Sequence, residues 1–170
     1  MEKVVAIIMG SDSDLPVMAK TAEVLEEFAV GYSIKILSAH RTPDQALEFA
    51  RCAQDNGYKV IIAGAGMAAH LPGVLASQTI LPVIGIPIAS GSTGGIDALW
   101  SMVQMPPDLV KLISVALNGG KNAGILALQI LALQDPALRI KLAENKLKMK
   151  EEVLAKNKRL EEMGFRGYIV

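Results

Sequence analysis

Two short polar turns carry the residues of this chain that are best suited to proton chemistry. Its two histidines, His40 and His70, each stand in a turn rich in glycine, alanine or proline, and Arg41 directly follows the first of them. Imidazole exchanges protons near neutral pH, and a guanidinium group presents a planar fork of donors to an anion such as phosphate. This combination predicts proton transfer on an anionic ligand.

A third polar turn, Gly10 to Asp14, closes the first apolar run of the chain. Its backbone N–H groups and two hydroxyls suit a phosphate, whereas its aspartates would repel phosphate and better suit ribose hydroxyls. Each turn also has a purely structural interpretation. Asp14 is a plausible N-cap of the next helix, His40 could cap a strand end, and His70 could cap the helix that follows it.

The elements that position these turns follow from the hydrophobic pattern. Apolar runs predict strands at residues 4–9, 32–37, 60–63, 82–86 and 112–117. Helical spacing predicts helices at residues 16–28, 43–53, 70–77, 94–104, 122–133 and 136–163. The alternation predicts a parallel sheet with helices on both faces, in a single domain made of an α/β core (1–134) and a helical extension (135–170).

Parallel sheets of this kind bind ligands outside the carboxyl ends of their strands. The three polar turns follow the first, second and third predicted strands, so all three should lie at that edge. Gly64-Ala65-Gly66 begins like a dinucleotide-binding fingerprint, but residues 67–69 do not complete it. The sequence therefore predicts one site built from three turns, without a recognisable dinucleotide motif.

Composition excludes several classes of protein. The 170 residues are 51% hydrophobic and 20% charged with zero net charge, which favours a folded domain and gives no reason to expect nucleic acid or an anionic membrane as partner. No apolar run is long enough to span a bilayer, so we expect a soluble cytoplasmic protein. Cys52 is the only cysteine, which excludes an intrachain disulfide; we expect it to be packed or inert on a helix.

The three turns together resemble those of the 5-(carboxyamino)imidazole ribonucleotide mutases of purine biosynthesis. The matching segments are 10–14, 38–43 and 64–73, with further likeness at 103–106 and 122–127. The likeness runs in order through nearly the whole chain. Arg41 and His70 favour the bacterial-type mutase branch over the carboxylase branch of this family.

This resemblance implies a three-layer α/β/α sandwich with a flavodoxin-like parallel sheet and a long C-terminal helix. It implies a homo-octamer that acts on a small ribonucleotide without a metal or organic cofactor. By motif position it implies two catalytic residues, His40 as the general acid/base and His70. The substrate-binding residues that it implies are Ser11, Ser13, Asp14, Ser38, Ala39, Arg41, Gly64, Ala65, Gly66, Ala68 and Leu71.

The implied reaction moves a carboxyl group within one molecule. Carbon dioxide leaves an exocyclic nitrogen of the substrate and is recaptured by a ring carbon inside a closed pocket. The chain departs from the family pattern at Met67, where most members have glycine, in the glycine-rich stretch 89–95, and at 105–113. These departures bear on the detail of the pocket more than on the reaction.

Alternative functions remain open at this point. A carboxylase that uses free carbon dioxide would share the motifs, and a non-catalytic nucleotide-binding paralogue would be consistent with the altered 105–113 stretch. A phospho-receiver domain is disfavoured because Gly64 stands where its phosphoacceptor aspartate is needed. A flavodoxin is disfavoured because aromatic residues make up only 4% of the chain.

Overall fold

A computed structural model describes residues 2–106 and 112–168 of the chain. The chain divides into two compact units, Met1–Leu131 and Ala132–Val170. The first unit contains the three polar turns. Residues 107–111, which make up most of the altered 105–113 stretch, lie outside the described residues.

The first unit is built on a five-stranded parallel sheet in the order β2-β1-β3-β4-β5. This is the flavodoxin-like strand order that was predicted. The strands are β1 (Val5–Met9), β2 (Tyr32–Ile36), β3 (Val60–Gly66), β4 (Val83–Ile88) and β5 (Leu112–Ser114).

The helices of this unit follow the predicted order, with ends that differ from the predictions by at most two residues. A single 3-10 turn, Asp12–Asp14, precedes the first of them. The helices are α1 (Leu15–Glu27), α2 (Pro43–Cys52), α3 (Leu71–Ala76), α4 (Ile96–Val103) and α5 (Gly120–Leu131).

The predicted lengths of β3 and β5 were wrong. Gly64, Ala65 and Gly66 were expected to form a turn, but they extend β3 and pair with Ile86, Pro87 and Ile88 of β4. Their small side chains let the strand continue between tightly packed neighbours, because a β-carbon on Gly64 would lie 3.0 Å from Cδ1 of Ile88. In contrast, β5 ends at Ser114, three residues before its predicted end.

Helices cover both faces of the sheet, as predicted. On one face, Ala6, Ile8 and Ile61 belong to an apolar cluster with buried residues of α2, α3 and α4. On the other face, α1 and α5 pack against the sheet and against each other. All residues of β1 and β4 are buried, as expected for parallel strands covered on both sides.

The contact between α1 and α5 depends on small residues. Thr21 in α1 donates a hydrogen bond of 2.8 Å from Oγ1 to the carbonyl oxygen of Gly120 at the start of α5. One turn later, a β-carbon on Gly124 would lie 2.9 Å from Cβ of Val24. The two helices therefore approach to a distance that larger side chains would prevent.

Cys52 was expected to be packed or inert on a helix, and it is not packed. It is the last residue of α2, and its side chain is exposed. The buried face of this part of the chain carries Ala46, Ala50 and Ala53, whose helical spacing places Cys52 on the opposite side. The packed alternative is therefore wrong, and the expectation of an inert thiol stays a prediction.

The second unit consists mainly of α6 (Pro136–Gly167). Asp135 caps its start by accepting a hydrogen bond of 3.0 Å from the backbone N–H of Leu138. Gly164 interrupts the helical geometry with φ 66° and ψ 164°, so regular helix ends at Met163, the predicted end. No helix among the described residues is long and apolar enough to cross a membrane.

Most of the apolar side chains of α6 lack full cover within one chain. Leu138 is buried and Leu142 is half-buried, whereas four others remain substantially exposed in the isolated chain. These four are Met149, Val153, Leu154 and Leu160, which are 40–64% exposed. Only part of this stripe is therefore covered in one chain.

The close approach of α1 and α5 yields a prediction on stability. A β-carbon on Gly120 would collide with the backbone carbonyl oxygen of Val17, which cannot move without distorting α1. We expect Gly120→Ala to lower the free energy of unfolding by about 2–3 kcal/mol, as overpacking does in other cores. Chemical denaturation measures this change.

The matched control is Gly167→Ala, at which a β-carbon would lie 3.5 Å from Cβ of Met163, an ordinary contact. We expect this second substitution to be neutral or slightly stabilising. Equal effects of the two substitutions would contradict the proposed crowding at Gly120.

Candidate active site

The strand order brings the three polar turns together. Strand β1 lies between β2 and β3 and pairs in parallel with both of them. The segments that leave these three strands therefore emerge side by side at the carboxyl edge of the sheet. They are the first turn (Gly10–Asp14), the second turn (Ser38–Thr42) and the third turn (Gly64–His70), whose first three residues are the last residues of β3.

The first turn is closed by a reciprocal capping box between Ser11 and Asp14. The backbone N–H of Ser11 donates to Oδ2 of Asp14 at 3.1 Å, and Ser11 Oγ accepts a hydrogen bond of 3.4 Å from the backbone N–H of Ser13. The Asp14 carboxylate was expected to cap α1, but it makes no such bond. It points back instead, because the 3-10 turn places it three residues after Ser11.

Asp14 is one of only two buried polar or charged residues in the described part of the chain. Burial raises the pKa of this carboxyl above its ordinary value, because the charged form loses solvation. The backbone N–H groups of Ser11 and Gly10 offset part of this effect, and Arg41 also lowers the pKa. Asp14 thus offers a desolvated carboxylate at the base of the first turn.

The second turn is held by its own side chains. The backbone N–H of Ser38 donates to Thr42 Oγ1 at 2.9 Å, and Thr42 Oγ1 donates to the Ser38 carbonyl oxygen at 3.2 Å. The backbone N–H of Arg41 donates to Ser38 Oγ at 3.2 Å. Ala39 is half-buried within this clamp, while His40 and Arg41 are exposed. Thr42 belonged to the sequence motif, but its clamping role was not predicted.

Arg41 joins the second turn to the first. Its Nη2 donates a hydrogen bond of 2.8 Å to the carbonyl oxygen of Gly10. A guanidinium group has five N–H donors, so the remainder of the fork is available for another acceptor. The positive charge is thereby fixed beside the start of the first turn, where a phosphate would be stabilised.

The third turn contributes mainly backbone. Gly64 and Ala65 are buried strand residues, and the Gly64 carbonyl oxygen accepts a hydrogen bond of 3.4 Å from Gly10 N–H. Ala68 is exposed, whereas Leu71 is only 2% exposed and packs beneath Gly10. The side chains of Ala65 and Leu71 therefore lie in the core, so a ligand at this edge would meet their backbone.

The two histidines meet across 30 residues of sequence. His40 Nε2 and His70 Nδ1 are 2.8 Å apart, and the rings are nearly perpendicular at 83°, with centroids 5.0 Å apart. His70 stands at the N-cap position of α3, but its side chain does not cap the helix. One ring must donate and the other accept, so the pair holds one shared proton and leaves the second nitrogen of each ring for a substrate.

A fourth segment lies at the same edge, and its hydroxyl was not predicted as part of the site. It follows β4, and its start is fixed by a hydrogen bond of 2.9 Å from Ala89 N–H to Oδ1 of Asn118. The next residue, Ser90, lies against Gly66 of the third turn. The glycine-rich composition of residues 89–95 drew attention to this segment, but nothing in the sequence distinguished Ser90.

The described residues contain no group of three or more His, Cys, Asp or Glu side chains arranged to hold a metal ion. The three turns together offer a proton shared between two imidazoles, a fixed guanidinium group, a desolvated carboxylate and several backbone N–H groups. This set suits acid/base catalysis on a phosphorylated, hydroxyl-bearing ligand.

Comparison with known proteins gives consistent results. A model of the AIR carboxylase family matches residues 4–152. An N5-carboxyaminoimidazole ribonucleotide mutase of Thermotoga maritima is 55% identical over 165 residues, covering 97% of this chain and 96% of that protein. A phosphoribosylaminoimidazole carboxylase of Schizosaccharomyces pombe is 51% identical over 97% of this chain, which covers 30% of that longer protein.

The fold agrees as well. The crystal structure of Treponema denticola PurE superposes with a TM-score of 0.82 at 27% sequence identity, covering 92% of this chain and 97% of that one. The family match and the near-complete relatives both include all three turns. The chain therefore belongs to the AIR carboxylase family.

Proposed function

We propose that this protein is a 5-(carboxyamino)imidazole ribonucleotide mutase that forms 4-carboxy-5-aminoimidazole ribonucleotide in purine biosynthesis. The observation that carries the proposal is the hydrogen-bonded pair of His40 and His70, in which His40 shares the second turn with the fixed Arg41. Near-full-length relatives that bear the mutase name support this function over that of a carboxylase or a non-catalytic paralogue.

His40 acts as the general acid/base. Carbon dioxide leaves the exocyclic nitrogen, which then needs a proton, and the ring carbon that recaptures carbon dioxide must lose one. A single imidazole performs both transfers in turn, because it accepts and returns a proton without a large driving force. His70 holds the ring of His40 through their 2.8 Å hydrogen bond and shares its proton.

The remaining residues bind the ribonucleotide. Arg41 binds the phosphate through the free part of its fork, and Asp14 accepts hydrogen bonds from ribose hydroxyls. The third turn meets the imidazole and carboxylate with its small residues and backbone. Further contacts come from Ser11, Ser13, Ser38, Ala39, Gly64, Ala65, Gly66, Ala68 and Leu71, the last through its backbone. The proposed reaction uses no metal or organic cofactor and takes place in the cytoplasm.

The proposal includes assembly into a homo-octamer. Carbon dioxide must be retained between its release and its recapture, yet His40, Arg41 and His70 are exposed in the isolated chain. A neighbouring copy supplies the missing wall. The apolar stripe on α6, with Leu154 56% and Val153 64% exposed, provides surface for contacts between copies.

The reaction is tested with the purified chain, in the absence of ATP, with and without added bicarbonate. We expect interconversion of the two carboxylated ribonucleotides that does not require bicarbonate. Activity seen only with aminoimidazole ribonucleotide and high bicarbonate would instead assign the chain as a carboxylase. Failure to convert either substrate would favour the non-catalytic paralogue.

The role of His40 is tested by His40→Asn, which keeps a polar side chain of similar size but cannot exchange a proton. We expect turnover to fall about a hundredfold or more, with ribonucleotide affinity largely unchanged, because only the proton transfers are lost. Steady-state kinetics and equilibrium binding measure the two effects separately. Near-normal turnover would remove His40 from the mechanism.

Asp14 yields a prediction on pH. Burial raises its pKa above the ordinary value of 3.8, so the folded chain holds this proton more tightly than the unfolded chain. The stability that this group contributes is therefore lost as pH rises through 3.8 towards the raised pKa. Asp14→Asn cannot ionise at this position, so it does not lose this stability. We therefore expect the melting temperature of Asp14→Asn, relative to that of the native chain, to rise as pH increases from 3.8 towards the raised pKa.

Thermal unfolding of both chains from pH 3.5 to 7 measures the difference, with Asp55→Asn as the control at an exposed aspartate. Ribonucleotide affinity should weaken in Asp14→Asn even where the variant is more stable, because the ionised acceptor is lost. A melting-temperature difference that stays constant with pH would rule out a raised pKa at Asp14.

Assembly is tested by Leu154→Gln and Lys156→Gln, two exposed positions on α6 that receive the same new side chain. We expect light scattering to give eight copies for the native chain and for Lys156→Gln, and a smaller species for Leu154→Gln, because only the last loses apolar contact area. A native chain that is monomeric at micromolar concentration would contradict the octamer.

A further inference from the structure

The hydroxyl of Ser90 is buried and has no hydrogen-bond partner among the described residues. It lies at the carboxyl edge of the sheet, two residues after Ile88, the last residue of β4. Since Ile88 pairs with Gly66, the hydroxyl sits beside the third turn, where a β-carbon on Gly66 would collide with it. The Ser90 hydroxyl therefore lies where the segment that follows β4 contacts the third turn.

An unpaired buried hydroxyl is unfavourable, because it gives up its hydrogen bonds to water and gains none in return. Alanine has nearly the same size and would fill the same space without this cost. In the described part of the chain, Ser90 Oγ is the only buried side-chain oxygen or nitrogen without a partner. This hydroxyl lies at the edge of the sheet that carries the candidate active site. Its position there points to a ligand as the missing hydrogen-bond partner.

The hydroxyl can reach that site by a small movement. Ser90 as a residue is half-buried, although its Oγ is enclosed. Rotation about the Cα–Cβ bond moves a serine hydroxyl between staggered positions without moving the backbone. Because Oγ makes no hydrogen bond in its present position, none is broken when it rotates towards a ligand.

The chemistry of the proposed substrate identifies the group that Ser90 meets. Arg41 is assigned to the phosphate, Asp14 to the ribose and His40 to the proton, and none of these three assignments provides a donor for the migrating carboxylate. A hydroxyl makes a charge-assisted hydrogen bond to a carboxylate and only a weak one to neutral carbon dioxide. The Ser90 hydroxyl would therefore bind the carboxylates of substrate and product. The carbon dioxide formed between them would stay free to move from the exocyclic nitrogen to the ring carbon.

We infer that Ser90 is a substrate-binding residue whose hydroxyl donates a hydrogen bond to the migrating carboxylate. This inference rests on the proposed function and adds to it a residue that follows β4. The assignment makes Ser90 a determinant of affinity for carboxylated ribonucleotides over the carboxylate-free aminoimidazole ribonucleotide.

The test compares the native chain with Ser90→Ala, using the product 4-carboxy-5-aminoimidazole ribonucleotide and aminoimidazole ribonucleotide as the two ligands in equilibrium binding. We expect Ser90→Ala to bind the carboxylated ligand roughly tenfold to a hundredfold more weakly, the loss of a bond to a charged group, with unchanged affinity for the other ligand. We also expect its melting temperature to rise by about 2–4 °C, since an unpaired hydroxyl is removed.

The matched control is Ser101→Ala in α4, where the hydroxyl donates a hydrogen bond of 2.7 Å to the Asp97 carbonyl oxygen. We expect Ser101→Ala to melt at a lower temperature than the native chain, because it loses this hydrogen bond. We expect its affinities for the carboxylated and the carboxylate-free ribonucleotide to keep the native ratio. If the native chain binds both ligands and Ser90→Ala shows the native ratio of affinities for them, the assignment of Ser90 is wrong but the proposed function is not affected. A native chain that binds neither ligand would overturn the proposed function as well.

Discussion

The parallel pairing of β1 with both β2 and β3 is the constraint on which the candidate site depends. It places three turns from distant parts of the chain at one edge, where Arg41 reaches Gly10 and His40 reaches His70. An antiparallel β2 or β3 would carry its turn to the opposite edge and separate these partners by the length of a strand. The chemistry of the site is thus a consequence of strand direction.

The site is held more by backbone and small residues than by bulky side chains. Ser11, Ser38 and Thr42 close their own turns with local hydrogen bonds, which leaves His40 and Arg41 free to project from the second turn. Glycine in β3 permits close contact with neighbouring strands. The result is a rigid frame that presents a few polar groups, the arrangement that proton transfer at a bound ligand requires.

Two features of this edge lower stability without an evident structural benefit. Met67 has a left-handed backbone with φ 54°, which costs a residue with a β-carbon about 1–2 kcal/mol, and its apolar side chain is 62% exposed. Ser90, in the adjoining segment, keeps an unpaired buried hydroxyl. Unfavourable local features of this kind concentrate where a fold serves a ligand.

The sequence by itself determined the order and type of the elements and the residues that could do chemistry. Continuous apolar runs predict buried parallel strands, and polar turns after three of them predict one site at a common edge. Local sequence patterns could not show that the two imidazole rings form a hydrogen bond, because His40 and His70 are 30 residues apart and their contact depends on the pairing of the strands. They offered Asp14 as an N-cap of α1 and a packed position for Cys52, since a helical pattern does not fix the direction of a cap or the buried face of a helix end. The tertiary structure alone revealed the unpaired hydroxyl of Ser90, because a missing hydrogen bond is a property of all the atoms around a group and leaves no trace in the order of residues.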